Sequence, residues 1–279
     1  MSRAVAVLLL PLLAVLAGCG GDGAALILSG DYFPSASGTT WEYRLETRVE
    51  TADASFSGSG TMTRAITRTQ PVVVAGRTIP GYVASTTYSV TDLPGPDLPL
   101  TLAQRALVDL LFSASAGGLR AVEAYYGSEL TPALGSTRHT LTALSLGGGP
   151  LLDVASRLPY LYNPPQAGEA HTASLPLIPM PLAPPFDRVG HPIVGTRLLD
   201  YADVDLPTGS GHAVYYFEQY AGNLHYSPTG SCAFSGRGRL LLLQGVGLAQ
   251  GDWTTVYNLD GWVRVSVTLT GDTYTLPPP

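Results

Sequence analysis

Trp41-Glu42-Tyr43-Arg44-Leu45-Glu46-Thr47-Arg48-Val49 alternates large apolar with charged or polar side chains over nine residues. Successive side chains of a strand point to opposite faces, whereas a helix would scatter the same residues around its circumference. The stretch therefore predicts a half-buried antiparallel strand with Trp41, Tyr43, Leu45 and Val49 on the buried face.

The rest of the chain repeats that device. Residues 57–68 read as the partner of this strand. Val72-Val73-Val74 and Thr78-Ile79 read as a hairpin turning at Gly76, and residues 82–90 continue the sheet. Further strands are expected at 119–126, 138–146, 197–204, 212–220, 238–244, 253–259 and 262–269. One helix interrupts them. Thr101 with Gln104 forms a capping-box pattern, followed by Leu102, Ala106, Leu107, Leu110 and Leu111 at helical spacing. Such a helix covers a sheet face or edge, or acts as a flap over a cavity. Residues 176–192 carry six prolines in 17 positions, which predicts an extended, polyproline-like crossover.

Composition agrees. Of 279 residues, 32 are Gly and 23 are Pro, which argues against bundles and coiled coils. Apolar residues make up 45% and charged ones only 13%, against ~25% in an average protein. That apolar share is too large for disorder. All 15 basic residues are Arg, and the net charge of −6 excludes a nucleic-acid binder, because nothing could neutralise a run of phosphates. The fold class expected is all-β: a curved antiparallel sheet or open barrel in two related halves, with one short helix.

The N-terminus carries an address. Arg3 is the only charge before Asp22, and residues 4–17 are apolar apart from Pro11, too short a run for a bilayer span of about 20 residues. The run ends in Leu16-Ala17-Gly18-Cys19. This sequence resembles the lipobox of bacterial lipoproteins. The resemblance implies acylation of the Cys19 thiol, palmitate among the acyl chains, and cleavage before Cys19. Gly20 rather than Asp after the cysteine then implies the outer membrane. Several acyl chains, at ~0.8 kcal/mol per buried CH₂, give stable anchoring where one is marginal. Residues 1–18 thus read as a signal peptide and 19–30 as the lipidated cysteine with a flexible tether. Residues 31–279 read as one β-rich domain, with candidate halves 31–150 and 151–279. The only other cysteine, Cys232, reads as a small buried residue, or as a reactive thiol or one half of an intermolecular bridge.

A weak repeat bears on the halves. Tyr32-Phe33-Pro34 with Gly38 lines up with Tyr162-Asn163-Pro164 with Gly168 at an offset of 130 residues, from duplication or by chance in a Pro- and Gly-rich chain. Tyr32-Phe33-Pro34, Gly38, Trp41-Glu42-Tyr43 and the late Gly245-Val246-Gly247 also resemble motifs of uncharacterised β-rich bacterial lipoproteins. That resemblance implies an envelope lipoprotein and no activity.

No Gly-x-Ser-x-Gly, Walker loop, His-Glu-x-x-His or Cys-x-x-Cys occurs. His139, His171, His191, His212 and His225 are far apart in the chain. His212 with Glu218 is a conceivable acid–base pair, and Asp200, Asp203 and Asp205 a conceivable cation site; a solvated strand is the simpler account of each. Tyr215, Tyr216, Phe217, Tyr220 and Tyr226 suit either a ligand surface or a sheet core. The expectation is a lipid-anchored envelope protein without catalytic residues, cofactor or metal. It would meet the membrane through Cys19 and bind an envelope protein or a lipid. The alternative is a carrier or chaperone holding a hydrophobic ligand in a half-barrel.

Overall fold

The computed structural model describes residues 30–74, 76–91, 99–112, 120–146, 152–175, 177–179, 185–226 and 230–276. The signal segment and Cys19 lie outside them.

Strand β1 (Thr40–Glu50) buries Trp41, Tyr43, Leu45, Thr47 and Val49 and exposes the charged residues between them, as the alternation predicts. It pairs antiparallel with β2 (Ser55–Thr69). The expected hairpin forms as a separate ribbon of β3 (Val72–Val74) and β4 (Arg77–Ile79), and Gly76 at its turn has φ +77°. Then follow β5 (Gly81–Thr91), β6 (Arg120–Thr131), β7 (Ser136–Leu146) and β8 (Leu152–Asn163). The second group is β9 (Ala170–Ser174), β10 (Ile178–Pro179), β11 (Phe186–Leu206), β12 (Gly209–Tyr226), β13 (Gly230–Leu243), β14 (Gly247–Tyr257) and β15 (Val263–Thr275).

Thirteen strands form one antiparallel sheet in the order β10-β11-β12-β13-β14-β15-β1-β2-β5-β6-β7-β8, with β9 also on β11. The first and last strands pair at its centre, over the full length of β1. The sheet is strongly curled, because Leu161 of β8 and Glu218 of β12 line the same cavity although their strands lie far apart in the order. The fold is therefore all-β, a rolled sheet whose concave side holds the core. Tyr43, Tyr82, Tyr126, Tyr216, Tyr257, Phe186, Met62 and Ile66 are each under 2% exposed or nearly so and fill that interior. Each such side chain contributes about 1.5–3 kcal/mol by leaving water.

The registers give the roll two ends. One, here the base, collects residue 40 of β1, the 132–135 turn, the β3–β4 ribbon, the 207–208 turn, the 244–246 turn and the end of β15. Helix α1 (Leu102–Phe112) closes the other end, as a covering helix. The capping box forms as expected: Gln104 N donates to Thr101 Oγ1 and Thr101 N to Gln104 Oε1, each at 3.2 Å. The Gln104 amide donates to the carbonyls of Leu259 and Asp260 at 3.2 and 3.1 Å, which ties α1 to the β14–β15 turn. Leu102, placed on the apolar stripe by spacing, is 87% exposed, because the helix turns Leu107, Val108, Leu110, Leu111 and Phe112 inward instead.

Two expectations need correction. The proline-rich segment does not stay a connection: β11 begins at Phe186 and runs through Pro192. The register with β12 shifts between Gly190 and Ile193, so the proline sits in a bulge where no ladder donor is required. Strand β8 was not expected either. Pro159 interrupts its pattern, but it falls at another register shift, on an edge strand.

Candidate functional site

Tyr32-Phe33-Pro34 forms no strand and instead plugs the base. Phe33 is 7% exposed and lies among Tyr82, Tyr126 and His139, with ring centroids 6.5, 6.3 and 5.3 Å away. The Arg64 guanidinium stands over its ring at 5.7 Å. Hydrogen bonds fix the plug: Tyr32 N donates to Asn163 Oδ1 at 2.8 Å, and Asn163 Nδ2 donates to Asp31 Oδ1 at 2.7 Å. The two segments that align as a repeat, one opening with Tyr32 and the other with Tyr162, therefore meet in space.

The terminal motifs also meet. Gly245 N donates to Asp31 O at 2.6 Å, and Trp41 Nε1 and Tyr43 OH donate to the carbonyls of Val246 and Leu248. Gly247 has φ +92°, and a Cβ there would stand 3.2 Å from Pro34 and 3.4 Å from Trp41 Nε1. A glycine is required at that point on both grounds.

Behind the plug lies a small cavity lined by Trp41, Tyr43, Arg64, Leu161, Glu218 and Trp253, among others. It offers about 40 Å³ to the centres of water-sized groups, against the ~10–15 Å³ that one water needs. Two ionisable side chains face an otherwise apolar wall. Glu218 is wholly buried between Tyr216 and Tyr220. Its Oε2 accepts from Trp253 Nε1 at 2.5 Å, and its Oε1 has no protein partner. Burial pushes its pKa well above the ordinary carboxyl value and favours the protonated form, with the indole bond opposing in part. Arg64 is 5% exposed and stacks against Phe33, Trp41 and Tyr126.

A second buried acidic side chain is fully engaged. Glu169 Oε1 accepts from Tyr162 N at 3.1 Å and lies 3.0 Å from His171 Nε2; Oε2 accepts from Gln166 N and Tyr216 OH, each at 3.1 Å. It clasps the end of β8 to β9 and to β12 across the roll. His139 is 2% exposed, with Nδ1 near Tyr82 OH and Ser128 Oγ and Nε2 unpartnered. Burial lowers its pKa to about 4, so it is neutral.

The expected chemistry is dispersed. His212 does not meet Glu218; its Nδ1 lies 2.5 Å from Asp203 Oδ1, with both side chains exposed. Asp200 and Asp205 are also exposed on β11, and among the described residues no group of three His, Cys, Asp or Glu is placed to hold a metal. The aromatic cluster splits by strand period. Tyr216 and Tyr220 enter the core, while Phe217 turns outward under Arg197, 5.5 Å over its ring. His225 packs beside Gly190, and the side chain of His191 lies outside the description. Cys232 is 2% exposed, and burial pushes its thiol up to about 11. Arg64 and Glu169 do not stand out in the sequence by motif, and Glu218, a conceivable partner of His212 there, binds Trp253 instead. The signal for Arg64 and Glu218 was there: each is a charge on the buried phase of its strand.

No family model and no curated protein matches the chain. Among solved structures it is similar to a candidate exported protein of Bacteroides fragilis with a YmcC-like fold, at 12% identity and a TM-score of 0.37, over 89% of this chain and 100% of that one. It is also similar to a candidate lipoprotein of Parabacteroides distasonis, at 10% identity and a TM-score of 0.34, over 88% of this chain and 99% of that one.

Proposed function

We propose that this chain is a lipid-anchored protein of the bacterial cell envelope, without catalytic activity, held at the outer membrane through acylated Cys19. Its β body then serves as an interaction or structural element for another envelope component. The observation that carries the reading is Leu16-Ala17-Gly18-Cys19 and the short tether that follows it to the folded body at Asp31. The interior favours a structural role. Glu169 and His139 bind parts of the fold to each other, and the plug of Tyr32-Phe33-Pro34 occupies the base. Cys19→Ala should abolish palmitate labelling and shift the protein from the membrane to the soluble fraction. Membrane retention of that variant would overturn the anchor.

The alternative, a carrier of a hydrophobic ligand, draws support from α1, which seals one end of an apolar interior. Among the described residues, the cavity behind the plug has room for a few water-sized groups, so carriage of a lipid in it would require the interior to open. Native mass spectrometry of the purified protein separates the two readings: a co-purifying lipid favours carriage, and the bare mass favours the structural role.

A further inference from the structure

The structure points to a membrane-facing rim at the base of the roll, an inference that rests on anchoring through Cys19. Gly30 lies against the side chain of Gln244, and Asp31 O accepts from Gly245 N, so the chain enters the fold at the base. Cys19 precedes Gly30 by 11 residues, a reach of at most ~40 Å. A lipid at Cys19 therefore keeps this end near the bilayer.

The same end carries exposed aliphatic residues. Val73 is 64% exposed, Leu130 66% and Leu134 45%. All three lie at the base: the β3–β4 ribbon packs on β6 at Gly127 through Val74 and Ile79 and leaves Val73 on its outer side, Leu130 and Leu134 stand at the β6–β7 end, and Arg77 Nη2 reaches Glu129 Oε1 at 2.9 Å. Arg138 Nη2 meets the other oxygen of Glu129 at 2.6 Å. Two guanidiniums thus share one carboxylate, a local excess of positive charge in a chain of net charge −6. Each guanidinium has five N–H donors, so both keep donors free for other acceptors. Aliphatic side chains flanked by Arg are what an interfacial contact needs, with the alkyl groups at the headgroup–acyl boundary and the guanidiniums on phosphates. We propose that Val73, Arg77, Leu130, Leu134 and Arg138 form a rim that lies on a phospholipid surface and orients the body, with α1 pointing away.

The test uses the lipidated full chain in vesicles of phosphatidylethanolamine and phosphatidylglycerol, with a bimane probe on Leu134→Cys or, at the far end, on Leu102→Cys. Native Cys232 is buried and leaves the label to the introduced thiol. Brominated phospholipids should quench the Leu134→Cys probe about twofold or more and leave the Leu102→Cys probe unchanged. Adding Arg77→Glu should restore most of the lost intensity. Equal quenching at both sites, quenching at Leu102→Cys alone, or none at either while palmitate remains on Cys19 would overturn the rim and spare the anchor. Absence of palmitate on Cys19 would overturn the anchor, and the rim with it.

Discussion

The indole nitrogen of Trp41 donates to the carbonyl oxygen of Val246, 2.5 Å away and 205 residues along the chain. This bond joins the opening motif to the late glycine pair and locks the 244–246 turn over the base, beside the plug. Trp41 is 5% exposed and the bond is part-buried, so an unmade partner there is costly.

Trp41→Phe keeps an aromatic ring and removes the donor, leaving a carbonyl without its partner. A loss of about 1–3 kcal/mol in urea unfolding is expected. Gly247→Ala should cost about as much, because the new Cβ meets Pro34 and Trp41 at a positive φ. The two losses should combine non-additively, since both variants disturb one contact. Strict additivity in the double variant would show that the junction does not act as a unit.

Two buried groups should give stability opposite pH slopes. His139 titrates at about 4 when folded and near 6.5 when unfolded. Its contribution is full above 6.5 and is lost as pH falls from there to about 4, a change of about 3 kcal/mol. Glu218 has its folded pKa raised, so the stability of its neutral form is present below the ordinary carboxyl value and is lost as pH rises above it. Glu218→Gln keeps an acceptor for Trp253 and cannot ionise. Relative to the parent it should gain stability as pH rises above the ordinary carboxyl range, read by denaturant unfolding at each pH. A pH-independent difference would refute a neutral Glu218.

Glu169 accepts from three donors of the protein and pairs with His171, and it is buried. Glu169→Ala leaves the Tyr216 hydroxyl and the Tyr162 amide unpaired and should cost about 3 kcal/mol or more. Hydrogen exchange should rise first in β8 and β9, which the carboxylate clasps, while the β1–β15 ladder stays protected. Uniform loss of protection would mean that this clasp is part of the global core.

Cys232 should be silent toward thiol reagents in the folded protein, since burial and a pKa of about 11 leave little thiolate at neutral pH. Maleimide labelling should proceed at the rate of unfolding and accelerate in urea. Fast labelling of the native protein would contradict its burial.

Gln104→Ala removes half of the capping box and both bonds to the β14–β15 turn. About 1–2 kcal/mol is expected, read as faster exchange in residues 102–112. Unchanged exchange there would show that apolar packing alone holds α1.

The sequence by itself determined the strand alternation, the capped helix and the export address. These are local: side-chain period, turn chemistry and capping need only neighbours a few residues apart. Trp41, Tyr43, Leu45 and Val49 are buried as their spacing requires, and Thr101 and Gln104 cap α1 as a pair. Only the tertiary structure decided that β1 pairs with β15, that Phe33 sits beside Arg64, and that Glu218 binds Trp253 rather than meeting His212. The prolines show the same division. Pro159 and Pro192 break a strand pattern when read along the chain, yet Pro192 is skipped in the β11–β12 register and Pro159 borders a register shift on an edge strand. The physical reason is that pairing, burial of charge and bulge position depend on which strands the curled sheet brings together, and no local pattern carries that information.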